Sequence, residues 1–245
     1  MAAAAAALCA GTAATRPVLA AAPTICVDSS SPSAALDRRI ALAATRAAGV
    51  PAAIASYDGS SGVSERFFRF LARGQCSLVM GFPVDALAPD PPSGLALTAP
   101  YLRTGYVLAS LGPPKTLRDV PSGSTVAVGM ATIPNFYLVG YFGKTPPYKP
   151  DVYQTQEQAL DALVHGDDRY ALVWAPSLWR YRSQHPQAPP IGSTSPPIPH
   201  AAWSLAALYA PHSALLARRF ETGVAHLRAD GSLAAIALPN AEPAK

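Results

Sequence analysis

The sequence predicts an α/β protein of two lobes, each a small, mostly parallel sheet flanked by helices, with two segments crossing between the lobes. Three observations support this prediction. An order of strand, helix, strand, helix, strand occurs twice along the chain. The apolar run 97–110 has no turn at its centre and leads from the first of these units into the second. A second apolar run, 201–210, is long enough to cross back.

The first unit is indicated by short apolar runs that alternate with helical patterns. Residues 36–50 place Leu36, Ile40 and Ala44 on one helical face and end at Gly49. Short links between elements favour parallel strands with right-handed crossovers. The predicted strands are 24–30, 52–58 and 76–83, and the predicted helices are 36–50 and 62–75, the latter with Phe67, Phe68 and Leu71 facing inward.

The second unit repeats this order, and its clearest helix begins at Thr155, where Gln158 completes a capping box. The predicted strands are 121–130, 151–155 and 170–176, the predicted helices are 133–142, 156–166 and 177–186, and a helical segment over 212–238 closes the chain. Lobe one is therefore expected to comprise 23–105 plus 200–245, and lobe two 107–197.

Composition limits the classes of function. In 245 residues, 50% are hydrophobic and 14% are charged, which is typical of a globular chain. The net charge is +4, and the basic residues are scattered without a stripe, which argues against nucleic-acid binding. The 26 prolines cluster in segments that we interpret as loops and boundaries.

The small, apolar residues 1–22 predict a signal peptide, and hence an exported, periplasmic protein. Because no basic residue precedes the apolar run and Arg16 interrupts it, a disordered alanine-rich extension is the alternative. Cys9 would leave with this segment. Cys26 and Cys76 remain, and an even pair in an exported chain favours a disulfide over two buried thiols.

Catalytic and metal-binding patterns are absent from the sequence. There is no Gly-x-Ser-x-Gly string, and the five histidines show no metal-ligand spacing. We expect no catalytic residue, no metal, no cofactor and no enzymatic activity, with an enzyme on the same scaffold as an alternative.

Ligands of parallel α/β sheets bind beyond the carboxyl ends of the strands, so residues there are the candidates for a cleft between the lobes. For Asp28 and Asp58 the alternative role is turn formation, for Trp174 it is core packing, and for Arg103 it is bracing of the hinge. The candidates just past strand ends are Asp28, Ser29, Ser30, Tyr57, Asp58, Phe82, Met130, Thr132, Thr155 and Trp174. Two further candidates lie on the crossing strand: Tyr101, for which packing is the alternative role, and Arg103.

Four strings resemble, in order and spacing, segments of the type 2 periplasmic solute-binding proteins, which include polar amino acid receptors of import systems. They are APYLRTGYVLAS (99–110), TLRDVPSGSTVAVGM (116–130), QALDALVHGDDRYALVWAP (158–176) and LLARRFETGVAHLRADGSLAAI (215–236). The resemblance implies the two-lobed periplasmic binding protein type 2 fold and a non-catalytic solute-binding role.

A narrower resemblance is to the accessory solute-binding homologues of quinoprotein methanol and alcohol dehydrogenase systems. The residues that carry it are Cys26, Cys76 and the string ALVWAPSLWRY (171–181). Ala175 departs from that branch, which has Gly there, and Leu178 and Trp179 stand where it has Ala and Gly.

The amino acid receptors hold the ligand carboxylate with an Arg after the third strand and the amine with an Asp near the last lobe-two strand. Here the loop 82–94 contains no Arg, and Trp174 ends a strand that has no carboxylate. A zwitterion in such a dehydrated cleft would leave two charges poorly paired, so we expect a different ligand.

The leading hypothesis is a monomeric, exported binding protein accessory to a periplasmic quinoprotein dehydrogenase, with that enzyme or its cytochrome c as partner and a role in methanol oxidation. The alternative is the substrate-binding component of an ABC importer, whose partner is the permease and whose ligand is a small polar solute such as an amino acid. A small-molecule ligand is compatible with both.

Overall fold

The computed structural model describes residues 22–60, 64–84 and 90–236. The predicted signal peptide lies outside these residues except for Ala22, and so does the end of the predicted lobe one beyond Ile236. No helix among the described residues has the length and apolar character to cross a membrane.

The first unit has the predicted order of strands and helices. Its elements are β1 (Thr24–Asp28), α1 (Ala34–Ala47), β2 (Ala53–Tyr57), α2 (Glu65–Phe70), a π-helical turn (Leu71–Gln75) and β3 (Leu78–Val84). β1 lies between β2 and β3 and is parallel to both.

The second unit also follows the predicted order. Its elements are β4 (Ala96–Leu97), β5 (Leu102–Leu111), a 3-10 turn (Leu117–Asp119), β6 (Thr125–Gly129), α3 (Ile133–Leu138), β7 (Lys149–Tyr153), α4 (Gln156–His165), β8 (Tyr170–Trp174), α5 (Ala175–Gln184) and β9 (Ile191–Thr194). The chain then returns through β10 (Ala202–Tyr209) and closes with a 3-10 turn (Pro211–Ser213), α6 (Ala214–Ala229) and α7 (Ser232–Ile236).

The strands form one curled sheet with the order β2-β1-β3-β10-β5-β8-β6-β7, to which β4 adds along β10 and β9 along β5. This arrangement is the two-lobed α/β fold that the sequence predicts. β5 changes partner along its length: residues 102–105 pair with β10, and residues 106–110 pair with β8. The lobes therefore meet where β5 passes from Gly105 to Tyr106.

Four clusters of buried residues form the core, two in each lobe. α1 and α6 cover one face of the β1–β3 sheet, and α2 covers the other. In the second lobe, α4 and α5 cover one face and α3 covers the other.

The predicted pairing of Cys26 with Cys76 is present as a disulfide with a Cα–Cα distance of 5.7 Å. It joins β1 to the residue at which the π-helical turn ends, across 50 residues of chain. The disulfide and the partly buried Phe67 and Phe68 belong to the same core cluster.

Several boundaries differ from the sequence prediction. The crossing run is not one strand: β4 ends at Leu97, β5 begins at Leu102, and Pro100 between them has no amide proton. The amides of Thr98 and Tyr101 still donate to Ala207 and Leu205 of β10. The predicted helix 62–75 begins at Glu65, and its second half is π-helical, with the Cys76 amide bonded to the Leu71 carbonyl at 2.7 Å.

Three other elements also differ. α3 ends at Leu138, before Gly140 with its positive φ, and the closing segment is divided at Gly231, which has φ +79°. The sequence did not predict β9, which pairs with residues 108–111 of β5.

Candidate functional site

The carboxyl ends of the parallel strands lie at Asp28 and Tyr57 in lobe one, and at Gly129, Tyr153 and Trp174 in lobe two. Because ligands of parallel α/β sheets bind beyond such ends, these two edges are the walls of the candidate cleft. The crossing strands β5 and β10 connect the lobes between them.

The carboxylate of Asp28 is used within lobe one. Its Oδ1 accepts hydrogen bonds from the Ser30 amide (2.9 Å), the Ser30 hydroxyl (2.6 Å) and the Gly59 amide (2.9 Å). A Cβ on Gly59 would lie 2.3 Å from Asp28 Oδ2, so only glycine allows this approach. Asp28 thus joins the turns after β1 and β2.

The neighbouring candidates of lobe one also bond to each other. The Ser29 amide and hydroxyl both donate to the Tyr57 carbonyl, at 2.8 and 2.9 Å. Asp58 accepts from the Ser60 amide at 2.9 Å, and hydrogen bonds from Ser60 lower the pKa of this exposed carboxyl. In this structure Asp28 and Asp58 therefore make turn-forming contacts, which is the alternative role considered for them from the sequence.

A row of aromatic rings extends from Tyr57 into lobe one. Ring centroids are 5.5 Å apart for Tyr57 and Phe67, 6.5 Å for Phe67 and Phe68, and 6.0 Å for Phe68 and Phe82. Burial raises the pKa of the Tyr57 phenol. Phe68 and Phe82 line a cavity of about 300 Å³ with Glu65 and residues 90–93.

On the lobe-two wall, the first turn of α3 is capped from within. Thr132 Oγ1 donates to the Gly129 carbonyl at 2.7 Å and accepts from the Asn135 amide at 3.4 Å. Burial raises the pKa of the neighbouring Tyr106 phenol to about 12. The amide of Met130 donates to the Tyr153 carbonyl at 2.7 Å.

Gln156, which sequence reasoning did not select, joins two strand ends of lobe two. Its Oε1 accepts from the Trp174 amide at 2.5 Å, and its Cγ lies 2.9 Å from where a Cβ on Gly129 would be. The selected neighbour, Thr155, caps α4 by accepting from the Gln158 amide at 3.2 Å, as the capping box predicts.

Three aromatic side chains, here called the aromatic floor, lie where the lobes meet: Tyr106, Trp174 and Trp203. The rings of Trp174 and Trp203 are stacked, with centroids 5.9 Å apart and planes inclined by 26°. The ring of Tyr106 meets Trp203 edge-on at 5.6 Å. Trp203 packs against core clusters of both lobes.

The structure explains why these three rings converge. Tyr106 lies opposite Trp174 in the β5–β8 register, and Thr104 lies opposite Trp203 in the β5–β10 register. Thr104 and Tyr106 are two residues apart on β5, so their side chains share a face of the sheet. The sequence placed Trp203 on the returning segment but offered no register to bring it to Trp174.

Two of the selected residues lie away from both walls. Tyr101 has no exposed surface: its hydroxyl donates to Asp37 Oδ1 at 2.6 Å and accepts from the Gly81 amide at 2.9 Å. It is a core residue here because β5 begins beneath α1. Arg103 lines a cavity of about 230 Å³ between residues 103–106 and 195–202. Of the three residues of the aromatic floor, Tyr106 alone lines this cavity.

The remaining candidates are divided between the edges. Ser29, Ser30, Tyr57, Asp58 and Phe82 lie on lobe one, and Met130, Thr132, Thr155 and Trp174 on lobe two. Met130 leaves half of its surface exposed. Among the described residues, no group of three or more His, Cys, Asp or Glu side chains could hold a metal ion.

Comparison with solved structures supports the fold. Substrate binding domain 2 of Lactococcus lactis GlnP, in open conformation, has a TM-score of 0.64 and 17% identity, covering 87% of this chain and 92% of that one. An ancestral cationic amino acid solute binding protein has a TM-score of 0.63 and 14% identity, covering 87% and 93%.

A histidine kinase sensor domain with similarity to periplasmic binding proteins has a TM-score of 0.53 and 19% identity, covering 88% of this chain and 94% of that one. No protein-family model and no curated protein matches the sequence. At these identities the comparisons show the architecture: the chain has the two-lobed fold of periplasmic binding proteins.

Proposed function

We propose that the chain is a non-catalytic, exported binding protein whose two lobes enclose a small solute, and that it serves as the solute-binding component of an importer. The observation that carries this proposal is the arrangement of two sets of strand ends on either side of the β5–β10 crossing. Paired crossing strands also form a hinge about which lobes can close.

The proposed lobes are 23–105 plus 200–245 and 107–197. The change of partner on β5 between Gly105 and Tyr106 supports the first boundary, and the start of β10 at Ala202 supports the return. The Cys26–Cys76 disulfide supports export, because disulfides persist in oxidising compartments.

One of the related structures, the ancestral protein, is by its name a binding protein for cationic amino acids. For this chain we propose a cleft that lacks the charged anchors of such receptors, because Asp28 is occupied by Ser30 and Gly59 and Arg103 lies in a separate cavity.

A second candidate function is the accessory role in a periplasmic quinoprotein dehydrogenase system that functions in methanol oxidation. The pairing of Cys26 with Cys76 favours it, because that branch carries cysteines at both positions. The partner would then be the dehydrogenase or its cytochrome c, and the cleft could act as a protein-binding surface.

A thermal-shift panel of amino acids, organic acids and alcohols separates the two candidates. The importer proposal predicts that one class raises the melting temperature in a saturable manner, since a ligand that binds only the folded state stabilises it. A silent panel together with co-purification of a quinoprotein dehydrogenase would instead support the accessory role and overturn the importer proposal.

A further inference from the structure

We propose that the cleft takes a planar, uncharged aromatic solute, which packs on the aromatic floor formed by Tyr106, Trp174 and Trp203. The inference rests on the proposed function, namely that the cleft encloses a small solute, and it names the ligand class for that site.

The aromatic floor lies at the strand-end edge where ligands of parallel α/β sheets bind. Trp174 is the last residue of a parallel strand, at the edge where a ligand binds, and Trp203 touches the cores of both lobes. Both indoles are partly exposed, and their planes are inclined by only 26°. A flat ring can extend this stack or meet its edge, which are the geometries that aromatic pairs favour.

The backbone amides beside the aromatic floor are paired within the chain, whereas the buried Trp174 Nε1 and Thr104 Oγ1 have no hydrogen-bond partner among the described residues. In the first turn of α3 the Asn135 amide is bonded to Thr132 and Pro134 has no amide proton, and the Trp174 amide is bonded to Gln156. An anionic group would therefore find these donors occupied, and leaving a charge without partners in a closed cleft is costly.

The lobe-one wall also disfavours a charged ligand. Asp58 accepts one hydrogen bond from Ser60, the strand-end carboxylate of Asp28 accepts three, and beside it stands the row from Tyr57 to Phe82. A cationic group would compete with Ser30 and Gly59 for that carboxylate. Tyr57 and Trp174, the aromatic residues at the two strand-end edges, favour a ligand that is apolar on both faces.

Isothermal titration calorimetry with matched probes tests the ligand class. Benzamide is planar and uncharged, cyclohexanecarboxamide has the same amide on a non-planar ring, benzoate is the anionic match, and L-glutamine is a zwitterion. We expect benzamide to bind at least tenfold more tightly than the other three.

The variant Trp203→Leu tests the location, because it removes the central ring of the floor but keeps an apolar side chain. We expect it to weaken benzamide binding at least tenfold and Trp203→Phe to retain most of the affinity. Phe70→Leu, which changes an exposed aromatic side chain of α2 outside the floor, is the matched control and should leave benzamide affinity unchanged. Circular dichroism and thermal unfolding verify that each variant is folded.

The outcomes separate this inference from the proposed function. Tighter binding of benzoate or L-glutamine, or equal affinity for benzamide and cyclohexanecarboxamide, overturns the aromatic ligand class but leaves a solute-binding cleft. Unchanged benzamide affinity in folded Trp203→Leu overturns the location. If none of these probes and no compound of the thermal-shift panel binds, both the inference and the proposed function are overturned.

Discussion

Asp37 is a buried carboxyl group that ties three elements together. It is 2% exposed and accepts hydrogen bonds from the Tyr101 hydroxyl (2.6 Å) and the Ser33 hydroxyl (2.7 Å). Through Tyr101 it reaches the Gly81 amide on β3. Burial, which outweighs these two hydrogen bonds, raises the pKa of Asp37 from 3.8 to about 6.

This pKa predicts a pH-dependent stability. The folded chain holds the Asp37 proton more tightly than the unfolded chain, so protonation of Asp37 contributes to the free energy of unfolding. This contribution is fully present below about pH 4 and is lost as the pH rises through about 6. Its upper limit is about 3 kcal/mol, since each pKa unit corresponds to about 1.4 kcal/mol.

In Asp37→Asn this contribution is absent. We expect the melting temperature of the wild type, relative to the variant, to fall as the pH is raised from about 4 to about 7. Thermal unfolding followed by circular dichroism measures it, with Asp90→Asn, an exposed carboxyl group, as the control. Parallel pH profiles for the wild type and Asp37→Asn would contradict the prediction.

The candidate site was predictable from sequence in part. Parallel strands present their carboxyl ends at one edge, so the strand ends identify the two walls of the cleft. This rule correctly assigned Tyr57 to the lobe-one wall and Met130 and Trp174 to the lobe-two wall. Trp203 and Gln156 were not found, because their positions depend on strand register and on a side-chain contact at 2.5 Å, and neither leaves a local sequence pattern.

At the scale of elements, α1 and α6 cross with almost no space between their backbones. A Cβ on Gly223 of α6 would lie 1.9 Å from the Ala44 carbonyl oxygen of α1. Glycine is therefore required for this packing, although it is a weak helix former.

We expect Gly223→Ala to lower the free energy of unfolding by about 1–3 kcal/mol, the usual cost of overpacking. Urea denaturation followed by circular dichroism measures the change. Gly74→Ala is the matched control, because nothing lies within 4 Å of a Cβ at that position. Equal stability of Gly223→Ala and the wild type would show that the helices can separate without cost.

The disulfide stabilises the lobe-one sheet by restricting the unfolded chain. Cys26 and Cys76 are 50 residues apart, and closing a loop of that size is worth about 4 kcal/mol in the chain-entropy model. We expect Cys26→Ala/Cys76→Ala to lose stability of this order in urea denaturation. A reducing agent should lower the melting temperature of the wild type and leave the double variant unchanged; an equal effect on both would argue against a structural role.

Most elements of the fold were predictable, because apolar periodicity and capping residues mark them locally. β9 is an exception: it follows Pro189 and Pro190, and its pairing needs Gly192, where a Cβ would lie 2.5 Å from the Gly112 carbonyl oxygen. That contact joins residues 80 positions apart and has no local signal.

At the scale of the whole molecule, the two lobes are joined by β5 and β10, and the aromatic floor lies at the point where β5 changes partner. Gly105 at this point allows the returning chain to approach, since a Cβ there would lie 2.4 Å from the Ala201 carbonyl oxygen. A short, closely packed junction with two crossing strands permits a hinge motion that keeps each lobe intact.

If the lobes close on a solute, the distance between spin labels on opposite walls of the cleft should decrease when the solute binds. Asp58→Cys and Thr155→Cys place labels on exposed residues of opposite walls, with Cys9 replaced by Ser and Cys26–Cys76 protected as a disulfide. Pulsed electron–electron double resonance measures this distance. We expect a shorter distance between the labels after addition of the compound that most stabilises the protein in the thermal-shift panel. An unchanged distance distribution with every compound of the panel would contradict the account.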